Sequence, residues 1–210
     1  MYTPHHFSET RLPVLQALMA AHPLGTLVTH GEAGLGADHL PFEYGAPSAT
    51  APFGTLRAHV ARANPLWHLA PSARLAEDQG PEVMVVFQGP HGYISPSLYE
   101  EKAASGKVVP TWNYAVVHGH GRLRAVDDPL WLLALLERLT ARHEAGRARP
   151  WAVADAPPAY IEALLRAIVG IEIVLTRLEG KWKLSQNRPA ADQVAVAAAT
   201  PALAPWMALR

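Results

Sequence analysis

The run TWNYAVVHGHGRLRAV at residues 111–126 constrains the fold more than any other stretch. Tyr114, Val116, His118, His120, Arg122 and Arg124 fall at every second position, so an extended backbone puts them all on one side, whereas a helix would scatter them around its axis. The alternation reads as one long strand, and Gly119 and Gly121 within it mark a bend or the close approach of another backbone. Further strand signals surround it. EVMVVFQG at 82–89 is a nearly continuous apolar run between turn residues, which suits a central strand covered on both faces. GTLRAHV at 54–60 alternates, with Leu56, Ala58 and Val60 forming a core face and Thr55, Arg57 and His59 a polar wall. GTLVTHGEAGLGADHLPFEYG reads as a β-hairpin, with Leu27 and Thr29 before a glycine-rich turn and Leu40, Phe42 and Tyr44 after it. GIEIVLTRLEGKWKLSQN reads as two strand pieces meeting at Glu179 and Gly180.

Three helical segments interrupt these strands. TRLPVLQALMAA at 10–21 spaces Leu12, Leu15, Leu18 and Met19 at helical intervals before HPLG stops it. DDPLWLLALLERLTARHEAG carries its own punctuation: Asp128 at the N-cap, Pro129 at the first helical position, Arg142 and His143 near the C-terminal end, and Gly146 beyond. Its apolar face is Leu132, Leu133, Leu136 and Leu139. A third helix is expected from about Pro157 to Val169, with Ile161, Leu164, Leu165 and Ile168 on one face and Gly170 as its stop. The sum is an α+β chain with six or more strands in a mainly antiparallel sheet or barrel, flanking helices, and a helical pair inserted at about 128–170 before the last strands. A length of 210 residues suits one large domain, here expected over 1–190. Residues 191–210 are alanine-rich, broken by Pro201 and Pro205, and too poor in large apolar groups for a core of their own, so a disordered tail is expected there.

Eighteen basic and eighteen acidic side chains cancel, so no global field draws the chain to DNA or to an anionic membrane. Direct DNA binding is further disfavoured because both long helices direct apolar faces to the core and offer no basic recognition surface. The absence of cysteine excludes disulfides, thiolate zinc sites and thiol catalysis. No apolar run approaches about 18 residues and the N-terminus lacks a basic segment followed by an apolar one, so a cytoplasmic protein without a membrane span is expected.

Binding chemistry is densest in EGKWKLSQNRPA at 179–190. Lys181, Lys183 and Arg188, with Ser185, Gln186, Asn187 and the indole of Trp182, exceed what a strand end needs, and an anionic, planar ligand would use them all. In TLRAHVARANPLW, the strand face of Arg57 and His59 runs into a turn with Arg62 and Asn64. That convergence suits a phosphate; the alternative is a solvated strand end with surface arginines. Thr111, Trp112 and Asn113 suit a flat heterocycle, or equally an ordinary strand entry whose tryptophan fills the core. His118 and His120 have a spacing that metal sites use, yet no acidic third ligand lies nearby on that strand, and no metal site is expected. GEAGLG has neither the order nor the strand-to-helix setting of a dinucleotide cradle, and YISPSLY lacks the glycines of a nucleophile elbow.

Taken in order, ADHLPF, GTLRAHVARANPLW, VFQGPHGYISPSLY, VVPTWNYAVVHGHGRLR, AIVGIEI and RLEGKWKLSQNR resemble the PaiB-type family of FMN-binding proteins, often labelled negative transcriptional regulators. The resemblance spans about residues 1–190. It implies a six-stranded antiparallel FMN-binding split barrel, related to the pyridoxamine-phosphate oxidase fold and assembled as a homodimer with flavin between subunits. It also implies a flavoprotein, either an oxidoreductase or a flavin-linked negative regulator. By the same resemblance His59, Arg62 and Asn64, beside Arg57, would meet the FMN phosphate, and His39, Leu40 and Pro41 would pass along the isoalloxazine. Thr111, Trp112 and Asn113 would approach from the partner chain, and Lys181, Lys183, Ser185, Gln186 and Arg188 would close the pocket. No residue is an evident general acid or base, so the chemistry would rest mostly with the flavin. Two alternatives stay open: a DNA-binding repressor without redox activity, and a haem-binding split barrel using one of the eleven histidines.

Overall fold

The computed structural model describes residues 1–32, 34–70 and 80–209. In chain order the elements are β1 (Ser8–Glu9), α1 (Leu12–Ala21), β2 (Leu24–Gly31), β3 (Gly34–Pro41), β4 (Glu43–Gly45), β5 (Thr55–Ala61), β6 (Glu82–Ile94), α2 (Glu101–Ala104), β7 (Thr111–Val126), α3 (Pro129–Glu144), α4 (Pro158–Arg166), β8 (Ile168–Lys183), α5 (Ala190–Ala199) and α6 (Ala204–Ala208). Hydrogen bonding orders the strands β3-β2-β6-β7-β8-β5-β4, with β1 added on β8. The β1–β8, β2–β3, β4–β5 and β5–β8 pairs are antiparallel. The described residues thus form a mainly antiparallel sheet of eight strands, where six were expected. The extra members include β1 and β4, of two and three residues, too short to leave an alternation in the sequence. No helix among the described residues is long and apolar enough to cross a membrane.

Contacts divide the chain into two compact units. One comprises Pro23–Val85 and Gly119–Arg177. Its β2–β3 hairpin runs in register from Leu24↔Pro41 to Gly31↔Gly34, and Gly34 takes φ 94°, a conformation that favours glycine. On β5, Leu56, Ala58 and Val60 are buried while Thr55, Arg57 and His59 stay partly exposed, the alternation expected from sequence. The Asp128 carboxylate caps α3 by accepting from Leu130 N at 2.8 Å, with Pro129 at the first position. Leu132, Leu135 and Leu139 are its buried residues, so the core stripe includes Leu135 and passes beside Leu133 and Leu136. Helix α4 stops at Arg166, three residues earlier than expected, because Ile168 and Val169 pair with Ala61 and Val60 of β5. Gly170 is therefore a strand residue; any Cβ there would lie 2.4 Å from the Trp131 ring.

The other unit comprises Met1–His22, Val86–His118 and Leu178–Arg210. Its core gathers Leu15, Leu18 and Met19 of α1 with Phe87, Ile94, Val117, Trp182 and Leu184. The expected break at Glu179 and Gly180 is absent: β8 continues through both. Gly180 instead marks a close approach, since a Cβ there would meet Leu15 Cδ2 at 2.4 Å and Glu9 O at 2.7 Å. The alanine-rich tail is also not disordered: it forms α5 and α6. Alanine's high helix propensity shapes the segment, and the few large side chains it has, Val196, Leu203 and Met207, are buried in a core the rest of the unit supplies.

Candidate functional site

Where β7 starts and β8 ends, the second of these units brings several polar residues together. Lys183, the last residue of β8, donates from Nζ to Thr111 Oγ1 and, at 2.6 Å, to Trp112 O. The chain then turns sharply. Ser185 adopts φ 64°, a left-handed conformation that costs energy in a residue with a side chain. Two bonds hold it there: Arg188 N donates to Ser185 O at 3.0 Å, and Asn113 Nδ2 donates to Ser185 Oγ at 2.8 Å. Both Asn113 and Ser185 are buried, so the strained turn is locked to β7. The turn carries Arg188 back over Tyr99, with its guanidinium carbon 4.3 Å from the ring centroid.

These residues enclose a cavity of about 190 Å³ lined by Tyr99, Thr111, Asn113, Lys183, Ser185 and Arg188, with Asn187 also on its wall. Its lining carries two cations and no carboxylate. Burial holds the Lys183 ammonium below the ordinary lysine range, and the neighbouring charge of Lys181 adds to this. The buried Tyr99 Oη and Asn113 Oδ1 at the same wall make no hydrogen bond. A desolvated cation without an anion is unfavourable, so an oxyanion seated here would relieve Lys183 and engage the fork of Arg188.

Five residues expected from sequence thus meet in one cavity of one chain, with Thr111 and Asn113 standing beside the C-terminal segment. Three more in this unit stand elsewhere. Lys181 Nζ donates to Tyr2 O at 3.0 Å and lies 5.5 Å from the Tyr114 ring centroid. Gln186 folds back on its own turn, accepting from Leu184 N at 2.7 Å and donating to Trp182 O. Trp112 points to the face of β7 opposite Thr111 and Asn113, where its Nε1 donates to His91 Nδ1 at 3.3 Å and 49% of it is exposed.

In the Pro23–Val85 and Gly119–Arg177 unit, Arg57, Arg62, Arg124 and Arg138 are engaged by protein groups. Arg62, expected at the phosphate, donates to Asp127 at 2.5 and 3.0 Å, to Arg166 O at 2.8 Å and to Ile168 O at 3.1 Å. Hydrogen bonds from Arg62 hold the Asp127 carboxyl below its usual range. Arg57 Nε donates to Glu172 at 2.8 Å, and Arg124 bonds the other oxygen of the same carboxylate. Arg57 also faces Glu43 at 3.8 Å, and Arg138 pairs with Glu43 at 2.6 Å. Asn64 accepts from Leu66 N at 2.8 Å, capping the turn Pro65–Leu69, and its amide donates to Asp38 at 2.8 Å. His39 Nδ1 is 3.0 Å from Thr26 Oγ1 across the hairpin; Leu40 is buried and Pro41 exposed. Burial lowers the pKa of His59, and its Nδ1 makes no hydrogen bond.

Tyr99 escaped the sequence reading because nothing in YISPSLY marks an arginine platform. The available signal was the turn chemistry: Ser95 caps the 3-10 turn Pro96–Leu98 by accepting from Ser97 N at 3.2 Å, and Tyr99 is the residue that turn delivers.

The fold class is that of the split barrels. A FAD and haem binding protein from Mycobacterium smegmatis shares it at a TM-score of 0.56 and 16% identity, over 90% of this chain and 78% of that one. A conserved hypothetical protein from Mycobacterium tuberculosis does so at a TM-score of 0.56 and 12% identity, over 90% of this chain and 94% of that one. A model of the family described as "Putative FMN-binding domain" matches residues 1–177, and the chain belongs to that family. Among its relatives are an uncharacterized protein of Emericella nidulans, 36% identical over 92% of this chain and 87% of the relative. Another is the protease synthase and sporulation protein PAI 2 of Bacillus subtilis, 32% identical over 93% of this chain and 87% of the relative.

Proposed function

We propose that this chain is an FMN-binding flavoprotein and that the cavity around Lys183 and Arg188 receives the phosphate of the flavin. The observation that carries the reading is the pair of cations lining one partly buried cavity without a carboxylate. A phosphate monoester fits that donor set: Arg188 offers a planar fork, Lys183 a proton beyond the two already committed to Thr111 and Trp112, and Thr111 and Ser185 offer hydroxyls. A volume of about 190 Å³ accommodates a phosphate and the start of its chain but not a three-ring system, so the isoalloxazine lies outside this cavity. When bound, the flavin supplies hydride or single-electron transfer, and the residues named here bind and orient it. Membership of a family described as FMN-binding supports the choice of FMN among flavins.

The face of β7 bearing Trp112, with Tyr93 beside it at 56% exposure, is the surface we assign to a second copy of the chain. A monomer sedimenting at micromolar concentration with FMN bound would rule that assembly out. The output, whether substrate oxidation or flavin-linked regulation, follows from what the bound flavin meets. DNA binding finds no support in Arg57, Arg62, Arg124 and Arg138, which are committed to carboxylates.

The test is a paired titration with FMN and riboflavin, which share the ring and differ in the phosphate. FMN is expected to bind at least about tenfold more tightly, the worth of one charge-assisted contact. Equal affinities would refute the phosphate assignment, and a Soret band in the purified protein would favour haem over flavin.

A further inference from the structure

Helix α5, like Lys183 and Arg188 themselves, lies beyond residue 177, where the match to the family model ends, and it is bonded to Arg188 and to the residue that follows Tyr99. Gln193 Nε2 donates to Arg188 O at 2.7 Å, gripping the backbone that carries the guanidinium. Asp192, buried with 2% of its surface exposed, accepts from Glu100 N at 3.0 Å, the residue directly after Tyr99. Arg188 and Tyr99 are the two sides of the cation–π contact at 4.3 Å, so adjacent residues of one helix fix the separation of that pair. The helix itself is anchored by the fully buried Val196 and packs on the turn Pro96–Leu98 that delivers Tyr99. A lone arginine on a mobile turn would lose side-chain and backbone entropy on gripping an anion; one held at its carbonyl and at its ring platform loses less.

We propose that Asp192 and Gln193 are positioning residues for the phosphate site: α5 is a brace that pre-sets Arg188 over Tyr99 and so tunes affinity for the phosphate end of the ligand. The inference rests on the FMN reading above.

The experiment measures FMN and riboflavin affinities for Gln193→Ala, Asp192→Ala and Asp192→Asn in the full chain, with thermal unfolding of each without ligand. Loss of one brace bond is expected to lower FMN affinity about two- to tenfold while riboflavin binding stays unchanged. Asp192→Asn, which retains an acceptor oxygen for Glu100 N, is expected to bind FMN as the parent does. Alanine variants that bind both flavins like the parent overturn the brace while leaving the phosphate site standing. Parallel loss of both flavins assigns α5 a structural role only and also overturns it. A parent protein that does not distinguish FMN from riboflavin removes the phosphate site and the brace together. Should Asp192→Ala fail to fold, Gln193→Ala, at a partly exposed position, decides the matter alone.

Discussion

Two groups of cations in this molecule have opposite surroundings. Arg57, Arg62, Arg124 and Arg138, all in one unit, each face a carboxylate. Lys183 and Arg188, in the other, line a cavity that has none, and Lys183 is partly desolvated there. A neutralised cation has little left to offer a ligand, because drawing it onto a phosphate first breaks an existing pair. An uncompensated one gains by binding. Placement beside a counter-ion, rather than the presence of arginine, therefore separates scaffold from site.

The sharpest way to break the comparison is to remove a counter-ion from the paired group. Glu172 is nearly buried between Arg57 and Arg124, so Glu172→Ala leaves Arg124 without this carboxylate and Arg57 with only the longer contact to Glu43 at 3.8 Å. Both arginines are partly exposed, which places the expected loss near the low end for buried pairs, about 2–3 kcal/mol in urea unfolding. The ratio of FMN to riboflavin affinity should not change. A loss well below 1 kcal/mol would mean the network is not what braces β5 against β8.

Arg188→Ala probes the unpaired group and should behave in the opposite sense. Without ligand, stability should move by no more than roughly 1 kcal/mol, the value of the contact with Tyr99. FMN affinity should fall by one to two decades, corresponding to about 1.5–3 kcal/mol, with riboflavin nearly unaffected. Unfolding of the apoprotein comparable to that of Glu172→Ala would erase the distinction between the two groups.

Much of the fold was legible because its signals are local. The alternation of Leu56, Ala58 and Val60, and the Asp128-Pro129 start of α3, each rest on a few neighbouring residues. The pairing of cations was not legible, because it joins distant positions: Arg57 meets Glu172 across 115 residues and Arg62 meets Asp127 across 65. On composition alone LRAHVAR, with two guanidinium groups, and KWKLSQNR, with two ammonium groups and one guanidinium, were both candidates for an anion, and the sequence reading put phosphate on Arg62. The tail was misread for a related reason. Its poverty in large apolar residues ruled out a core of its own but not the docking of Val196 and Leu203 into one built elsewhere.

Arg62→Ala sharpens the comparison at a smaller scale. The Asp127 side chain is 56% exposed, so the ion pair itself is screened, and the bonds to Arg166 O and Ile168 O carry much of what is lost. A stability decrease of about 1 kcal/mol is expected, with the preference for FMN over riboflavin intact. A selective loss of FMN binding would return the phosphate to Arg62 and take it from Lys183 and Arg188.

The smallest expected effect is in the pH dependence of binding at Lys183. Its folded-state pKa lies below the ordinary 10.5, mainly through burial and then through Lys181. In the apoprotein the unfolded chain therefore binds more proton between that lowered value and 10.5, so stability rises with pH across this window as the buried ammonium discharges. A bound phosphate inverts the preference, since it favours the charged ammonium. FMN affinity should thus fall as pH rises through the lowered value, where apoprotein stability climbs. Riboflavin shares the ring and its ionisation, so the ratio of the two affinities isolates the phosphate contact. Because Lys183 is only partly buried, a two- to fivefold drop in that ratio is expected, less than about 1 kcal/mol. Lys183→Arg, which keeps its charge throughout, should flatten the profile. A ratio that ignores pH in the parent and in Lys183→Arg alike would place the phosphate on Arg188 without Lys183.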